Sequence, residues 1–348
     1  MKIIPAGYER IQIPDPVKKI EKIARVCYKS EDKIGEGTDV KMVNDLLDRN
    51  HLAMIEHADA ALFVCKQIYV QFKNLIGQLE SVVTKDTEQD PNLKQQYIRF
   101  TEYHGAEGGF DVTERYIISG NLRAWYETIG RIYKYFKWMP EAITKQLDVY
   151  TRDVFNFGQW ACETSDFIDG WARLITYEDW ETLTYEERMV HETFSVLLTV
   201  DRGITHEIVR MREASFAQES TRYCNYNAGK YGSEITVIKP CFWEEDSPAY
   251  KRWEQSCLED EAAYIELTKE CKCPAQQARD VLPTSVKNDI VVTAHLDEWK
   301  HIFRLRACDA TGPAHPQMKE VMMPFMKEVR ADSHYDGLFN DLVAADEK

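Results

Sequence analysis

Phe194–Val200 reads FSVLLTV, a short apolar run that breaks at once into the polar step Asp201-Arg202-Gly203. No other stretch limits the fold so tightly. A run of this length with sharp boundaries suits a strand, although a buried helical segment would share its composition. The alternating apolar stretch ending at Val64, Glu234–Ile238 and Asp289–Thr293 also read as strands. Helical patterns separate them. Over Asp15–Tyr28, Val17, Ile20, Ile23, Ala24 and Cys27 fall on one face, behind an N-cap candidate followed by a proline. Asp39–Asp48, Pro248–Glu270, Leu296–Cys308 and His315–Val329 continue the pattern, and a helix is expected from about Thr205 to Arg212. From about 67 to 190 the chain reads as mostly helical and aromatic, for example over Leu122–Trp138 and Leu147–Phe157. Strands separated by helical excursions define a mixed α+β class.

The 348 residues allow two domains or one heavily elaborated domain, and 44% hydrophobic residues are enough for a sizeable core. No linker, low-complexity tract or long internal repeat stands out. A formal charge of −15 repels polyanions and argues against a nucleic-acid polymer as partner, while leaving room for a local basic pocket that holds one phosphate. Nine cysteines without paired spacings read as reduced thiols. The opening MKIIPAGYERIQIPDP lacks an apolar targeting core, and no apolar run approaches ~18 residues, so a cytoplasmic protein without membrane partners is expected.

The densest chemistry lies in Thr205–Tyr226, THEIVRMREASFAQESTRYCNY. Arg210 and Arg212 close the expected helix, and a polar loop follows with Ser215, Gln218, Glu219, Ser220, Thr221 and Arg222. Forked guanidinium donors, hydroxyls and loop amides suit phosphate oxygens, and Gln218 and Glu219 can read a base or ribose edge. Ordinary surface arginines complementing a helix C-terminus would look similar. Metal chemistry finds no support: Cys271-Lys272-Cys273 lacks a second ligand pair, and His206-Glu207 lacks the second His of a zinc-protease helix. No Walker loop or G-x-G-x-x-G turn is present.

Arg210-Met211-Arg212, seven residues and then Ser220 resembles the arginine–X–arginine–seven–serine signature of the flavin-dependent thymidylate synthases, with Met211 where that family usually has His. Asp201–Glu207 resembles the family's lead-in helix and Ser220–Tyr226 its exit loop. His51 followed by Glu56-His57 resembles its His…Glu-His block. Phe303–Arg306 and Ala314–Lys319 resemble its final helix pair. Gly120-Asn121-Leu122-Arg123 echoes an Asn-X-Arg element that the family carries nearer its C-terminus, where this chain has His295 and Asp297. Either Asn121 and Arg123 substitute for that element, or the echo is coincidence.

The resemblance implies the family's α+β fold, a mixed sheet with helices, as one elaborated catalytic domain over 1–348. Its core would be 1–66 and 190–330, carrying a large, mainly helical insertion over 67–190. It implies reductive methylation of dUMP to dTMP, with 5,10-methylenetetrahydrofolate as carbon donor, NADPH as reductant and FAD between them, and no enzyme nucleophile. Active sites would be shared between subunits of a homotetramer. FAD would meet His51, Ala53, Arg210, Met211 and Arg212. The nucleotide dUMP would meet Glu207, Gln218, Glu219, Ser220, Thr221, Arg222 and Lys319, and Asn121, Arg123 and His295 are further candidates. Two rivals remain. A folate-oxidising thymidylate synthase needs a nucleophilic cysteine, for which Cys241 in Pro240-Cys241-Phe242-Trp243 is the nearest context. A non-catalytic flavin- or nucleotide-binding relative would tolerate Met211, Asp297 and Lys319.

Overall fold

The structure is a computed structural model that describes residues 1–86, 98–104, 114–161, 170–226 and 234–347. In chain order its strands are β1 (Lys2–Ile4), β2 (Gly7–Ile11), β3 (Asp59–Val64), β4 (Arg99–His104), β5 (Glu114–Asn121), β6 (Ala172–Leu174), β7 (Thr193–Asp201), β8 (Ala214–Gln218), β9 (Thr236–Ile238) and β10 (Lys287–His295). The longer helices are α1 (Pro16–Tyr28), α2 (Thr38–Asp48), α3 (Lys66–Asp86), α4 (Leu122–Phe136) and α5 (Glu141–Tyr150). They continue with α6 (Tyr177–Trp180), α7 (Tyr185–His191), α8 (Arg202–Ile208), α9 (Pro248–Lys269), α10 (Ala275–Ala278), α11 (Leu296–Arg306) and α12 (Pro316–Ala331). The class is α+β, as the sequence leads one to expect.

The chain divides into two compact units, one of Met1–Gln12, Lys22–Lys33 and Phe194–Lys348, the other of Ile13–Glu21 and Ile34–Thr193. In the first, β2-β7-β10-β8 form a four-stranded sheet and β1 pairs in parallel with β9. FSVLLTV is the body of β7, with Phe194, Val196, Leu198 and Val200 all buried. Strand β10 is buried on both faces between β7 and β8; its Ile290-Val291-Val292 centre is apolar, and the polar residues on either side of it are buried too. Phe194 stacks on Trp299 at 4.7 Å, and Phe303 and Phe325 extend that aromatic core.

Two expectations change. Helix α8 stops at Ile208 rather than Arg212: the Val209 N–H still bonds to Thr205 O, but the Met211 N–H turns to Ile208 O and the chain leaves the helix. Ile204, Ile208 and Met211 are all buried, so helical spacing persists past the point where the backbone leaves the helix. Ser215 and Gln218 lie on a strand, β8, paired antiparallel with β10 in the register Ser215↔Thr293 and Gln218↔Ile290. As an edge strand it is only half-buried, and its polar residues imitate a loop. The interval 67–190 holds strands β4, β5 and β6 among its helices.

Those strands join β3 in the second unit's sheet, β4-β5-β3-β6. The order matches β8-β10-β7-β2: second strand, third strand, first strand, then an edge supplied from outside the run. In each sheet the third strand passes directly into a helix, β5 into α4 at Asn121 and β10 into α11 at His295. Each helix starts with Leu and places a fully buried Trp three residues on, Trp125 and Trp299. Both indoles donate to the second residue of the first strand at 3.1 Å, Trp125 to Ala60 O and Trp299 to Phe194 O. Three residues before each acceptor stands a buried histidine, His57 or His191. The two units repeat one arrangement. Sequence inspection finds no repeat because what persists is burial, hydrogen bonding and a few anchors.

Candidate functional site

Strand β7 delivers the chain to Asp201, whose Oδ1 caps α8 by accepting the Ile204 N–H at 2.8 Å. Burial holds the Asp201 carboxyl above the usual carboxylate range, and the backbone N–H donors work against that rise. The next residue, Arg202, is tied by its N–H to Thr284 O at 3.1 Å. This link sets the opening of α8 beside the segment that follows α10. A cavity of about 330 Å³ lies there, lined by Arg202, His206, Thr221, Arg279, Asp280, Leu282, Pro283 and Thr284. Among the described residues, neither Arg202 nor Arg279 has an ion-pair partner. Two guanidiniums, an imidazole and two hydroxyls surround one cavity together with the Asp280 carboxylate, a set rich in the donors that suit an anion.

Thr221 carries the cavity into the motif loop. The Ser220 N–H donates to Cys27 O at 3.1 Å, and its Oγ accepts the Arg222 N–H at 3.3 Å. The N–H groups of Tyr223 and Cys224 both return to Ser220 O, making a tight turn. Thr221 is buried within it, while Arg222 is exposed, donates from Nε to Gln276 Oε1 at 3.1 Å and lies over the Tyr223 ring at 5.4 Å. Gln276 sits on α10, just ahead of Arg279, so the motif loop and the cavity's far wall are joined.

Other expected residues have local partners. Gln218 donates through Nε2 to Thr205 Oγ1 at 2.9 Å. Glu207 receives Arg306, at 3.7 Å on its carboxylate and 3.1 Å on its backbone carbonyl. Lys319 pairs with Asp309 at 3.0 Å. The Glu219 carboxylate is buried against Lys287 and Lys29. Arg210 and Arg212 are exposed and without ion-pair partners among the described residues, flanking the buried Met211. His295 is buried at the head of α11.

The second unit holds His51 and Ala53, both exposed at the start of a 3-10 turn over Leu52–His57. Asn121 caps α4 by accepting the Ala124 N–H at 2.8 Å. Arg123 pairs with Glu56 at 2.6 Å and Glu127 at 2.9 Å. In the repeated arrangement, Asn121 and Arg123 occupy the strand-to-helix position that His295 and Asp297 hold in the first unit. Sequence reasoning missed Arg279, Asp280 and Thr284, which fall between recognisable blocks and reach the cavity only through the fold. Arg202 and His206 were in view only as part of a lead-in helix.

Two of the cysteines, Cys27 and Cys241, are poorly disposed to nucleophilic work. Burial pushes the Cys27 thiol up to about 12, and desolvation with Glu320 nearby holds Cys241 at about 11. Among the described residues no helix is long and apolar enough to cross a membrane, and no group of three His, Cys, Asp or Glu residues is placed to hold a metal ion.

Comparison with known proteins bears on the family. A family profile described as "Thymidylate synthase complementing protein" matches residues 177–332, a span that takes in the cavity and the motif loop. The flavin-dependent thymidylate synthase of Pyrococcus abyssi is 30% identical over 181 residues, covering 46% of this chain and 72% of that protein. The Pyrococcus horikoshii protein of the same name is 32% identical over the same coverage. Among solved structures, a UMP/dUMP methylase PolB from Streptomyces cacaoi bound with 5-Br dUMP aligns over 95% of this chain and 92% of its own, with 12% identity and a TM-score of 0.35. The sequence relationship to the archaeal enzymes is sufficient: this chain belongs to the flavin-dependent thymidylate synthase family, and it is an enzyme of the methyltransferase type.

Proposed function

We propose that the chain converts dUMP to dTMP by reductive methylation, taking the carbon from 5,10-methylenetetrahydrofolate and reducing equivalents from NADPH through FAD. The observation that carries this reading is the cationic cavity of Arg202, His206 and Arg279, closed by Thr221 of the motif loop. A nucleoside monophosphate brings a phosphate with close to two negative charges, and charge-assisted hydrogen bonds from guanidinium groups are the strong way to hold it. Arg279, Arg202 and Arg222 bind the phosphate in this reading. Thr221, Thr284 and Ser220 add hydroxyl donors. Asp280, the one carboxylate on the cavity wall, is suited to accept from a ribose hydroxyl.

FAD fits the donor chemistry of the neighbouring turn. Two exposed guanidiniums without carboxylate partners among the described residues, Arg210 and Arg212, suit its phosphates, and the apolar Met211 between them suits contact with a ring. His51 and Ala53 are the other flavin contacts in this reading, and Lys319, Glu207 and Gln218 the outer nucleotide contacts. Bound FAD supplies hydride transfer, chemistry that no side chain provides. The chain's residues bind and orient the nucleotide and set the local field. Thiols held well above neutrality are in keeping with a reaction that uses no cysteine nucleophile. A homotetramer with shared sites is the assembly proposed.

The test is product formation. Purified chain with dUMP, the folate donor, NADPH and FAD is expected to yield dTMP, with yield dependent on NADPH. Flavin retention and dUMP binding without dTMP would replace this reading with that of a binding protein.

A further inference from the structure

Behind the motif loop lies a group of four charges that binding alone does not explain. Glu219 is the residue immediately before Ser220. Its N–H donates to Asp289 O at 2.8 Å, and its carbonyl accepts from Asn288 Nδ2 at 3.1 Å. Its carboxylate, 1% exposed, meets Lys287 at 2.9 Å and Lys29 at 3.6 Å. The same two ammonium groups meet Asp289, Lys287 at 2.5 Å and Lys29 in direct contact. Asp289 is completed by Thr199, whose hydroxyl donates to Oδ1 at 2.8 Å. These two cations and two carboxylates cancel in formal charge, and the part-exposed Glu31 reaches Lys29 from the rim at 3.9 Å.

Burying four charges at one point carries a desolvation cost that apolar side chains of similar size would avoid. Such a cluster is therefore a weak stabiliser and a strong selector of one register, because any slip leaves a buried charge uncompensated. Lys29 adds a second observation. It has φ 48°, the left-handed region where a side chain is disfavoured, directly after the last residue of α1. Glycine would suit that backbone better, and lysine brings the cation that Asp289 and Glu219 share. Burial works against the Lys29 charge, yet the two carboxylates hold its proton more firmly than usual, and the two lysines keep Asp289 below the ordinary carboxylate range against its own burial.

We infer that Glu219 is a positioning residue: with Lys287, Lys29 and Asp289 it fixes the register of the Glu219–Arg222 loop, so that Ser220, Thr221 and Arg222 meet the nucleotide while Glu219 does not touch it. The inference rests on the reading that this loop binds dUMP. It draws together three distant parts of the first unit, the end of α1, the end of β8 and the start of β10. The Ser220 N–H to Cys27 O bond sits on the same α1 terminus, so the residue after Glu219 is held from the same side.

The experiment compares Lys287→Met, Lys287→Arg, Glu219→Gln and the double variant Glu219→Gln/Lys287→Met. Amide exchange over 219–224 and dUMP affinity by titration are the readouts, with flavin content as a control. Lys287→Met leaves a buried carboxylate uncompensated and is expected to speed exchange and to weaken dUMP by about tenfold or more. Lys287→Arg and the charge-balanced double variant are expected within about threefold of the parent in both readouts. All variants should retain flavin. If Lys287→Met does not fold, the double variant against Glu219→Gln alone carries the comparison, with the double expected to be the tighter binder. Unchanged exchange in Lys287→Met, or a double variant no better than Glu219→Gln, overturns the inference. A parent chain that does not bind dUMP would instead overturn the nucleotide reading, and the exchange data would still decide the positioning role.

Discussion

Arg279→Ala isolates the nucleotide reading, because the side chain has no ion-pair partner among the described residues and its removal leaves no carboxylate stranded. It lines the cavity together with Arg202, His206 and Thr221. Folding should be nearly indifferent to the change, with an effect within about 0.5 kcal/mol, the range for a surface substitution that breaks no named interaction. Binding should not be. A hydrogen bond to a charged group contributes about 1.5–3 kcal/mol, which corresponds to a roughly 10- to 150-fold weaker dUMP complex. Calorimetric titration at two ionic strengths is the assay. The parent should lose affinity with added salt more steeply than Arg279→Ala, since one cation fewer faces the phosphate. Deoxyuridine, which lacks the phosphate, should bind parent and variant alike. An affinity for dUMP within about twofold of the parent, at unchanged stability, would refute the placement of the phosphate in this cavity.

Other consequences can be checked separately. Trp125→Phe and Trp299→Phe each remove the indole donor to a buried strand carbonyl, on Ala60 or Phe194, and each is expected to cost about 0.5–1.5 kcal/mol in denaturant unfolding; a silent member of the pair would contradict the repeated arrangement. Burial and the nearby Arg99 push the His191 imidazole down to about 3, so this group favours the folded state above its unfolded value of about 6.5 and loses that contribution as pH falls from there toward 3. His191→Asn should flatten stability against pH in that window, and an unchanged profile would argue against a buried neutral histidine. Asn121→Ala should cost about 0.5–2 kcal/mol through loss of the α4 cap, whereas Asn121→Ser should keep most of it. A loss of flavin in the serine variant at unchanged stability would show that Asn121 does more than cap.

The parts of this molecule legible in its sequence are those where chemistry or burial is local. Arg210, Arg212 and Ser220 lie within one turn-and-strand segment, so a linear pattern preserves them. Strand β7 and the Ile290–Val292 centre of β10 are legible because both are buried apolar runs. Strand β8 was hidden because an edge strand needs only one partner and shows polar residues to solvent. The cavity was hidden for a different reason. Arg202 and Arg279 meet only because β7 feeds α8 beside the segment after α10, a consequence of sheet order that periodicity does not encode. Lys29 and Lys287 were equally silent, since a lysine that joins a buried charge cluster looks like any surface lysine until its neighbours are known. The repeat of β3–α4 in β7–α11 survives in a tryptophan, a leucine and the strand order, too little identity to see in one chain.

In the proposed function the cationic cavity and its motif loop hold dUMP for methylation. The most direct measurement follows labelled dUMP in the presence of the folate donor, NADPH and FAD, with the parent chain beside Arg222→Ala and Arg279→Ala. Labelled dTMP should accumulate with the parent, cease when NADPH is omitted, and at subsaturating dUMP form at least tenfold more slowly with either variant. Product formation at the parental rate by both arginine variants would contradict the account, as would a flavin-loaded parent that returns dUMP unchanged.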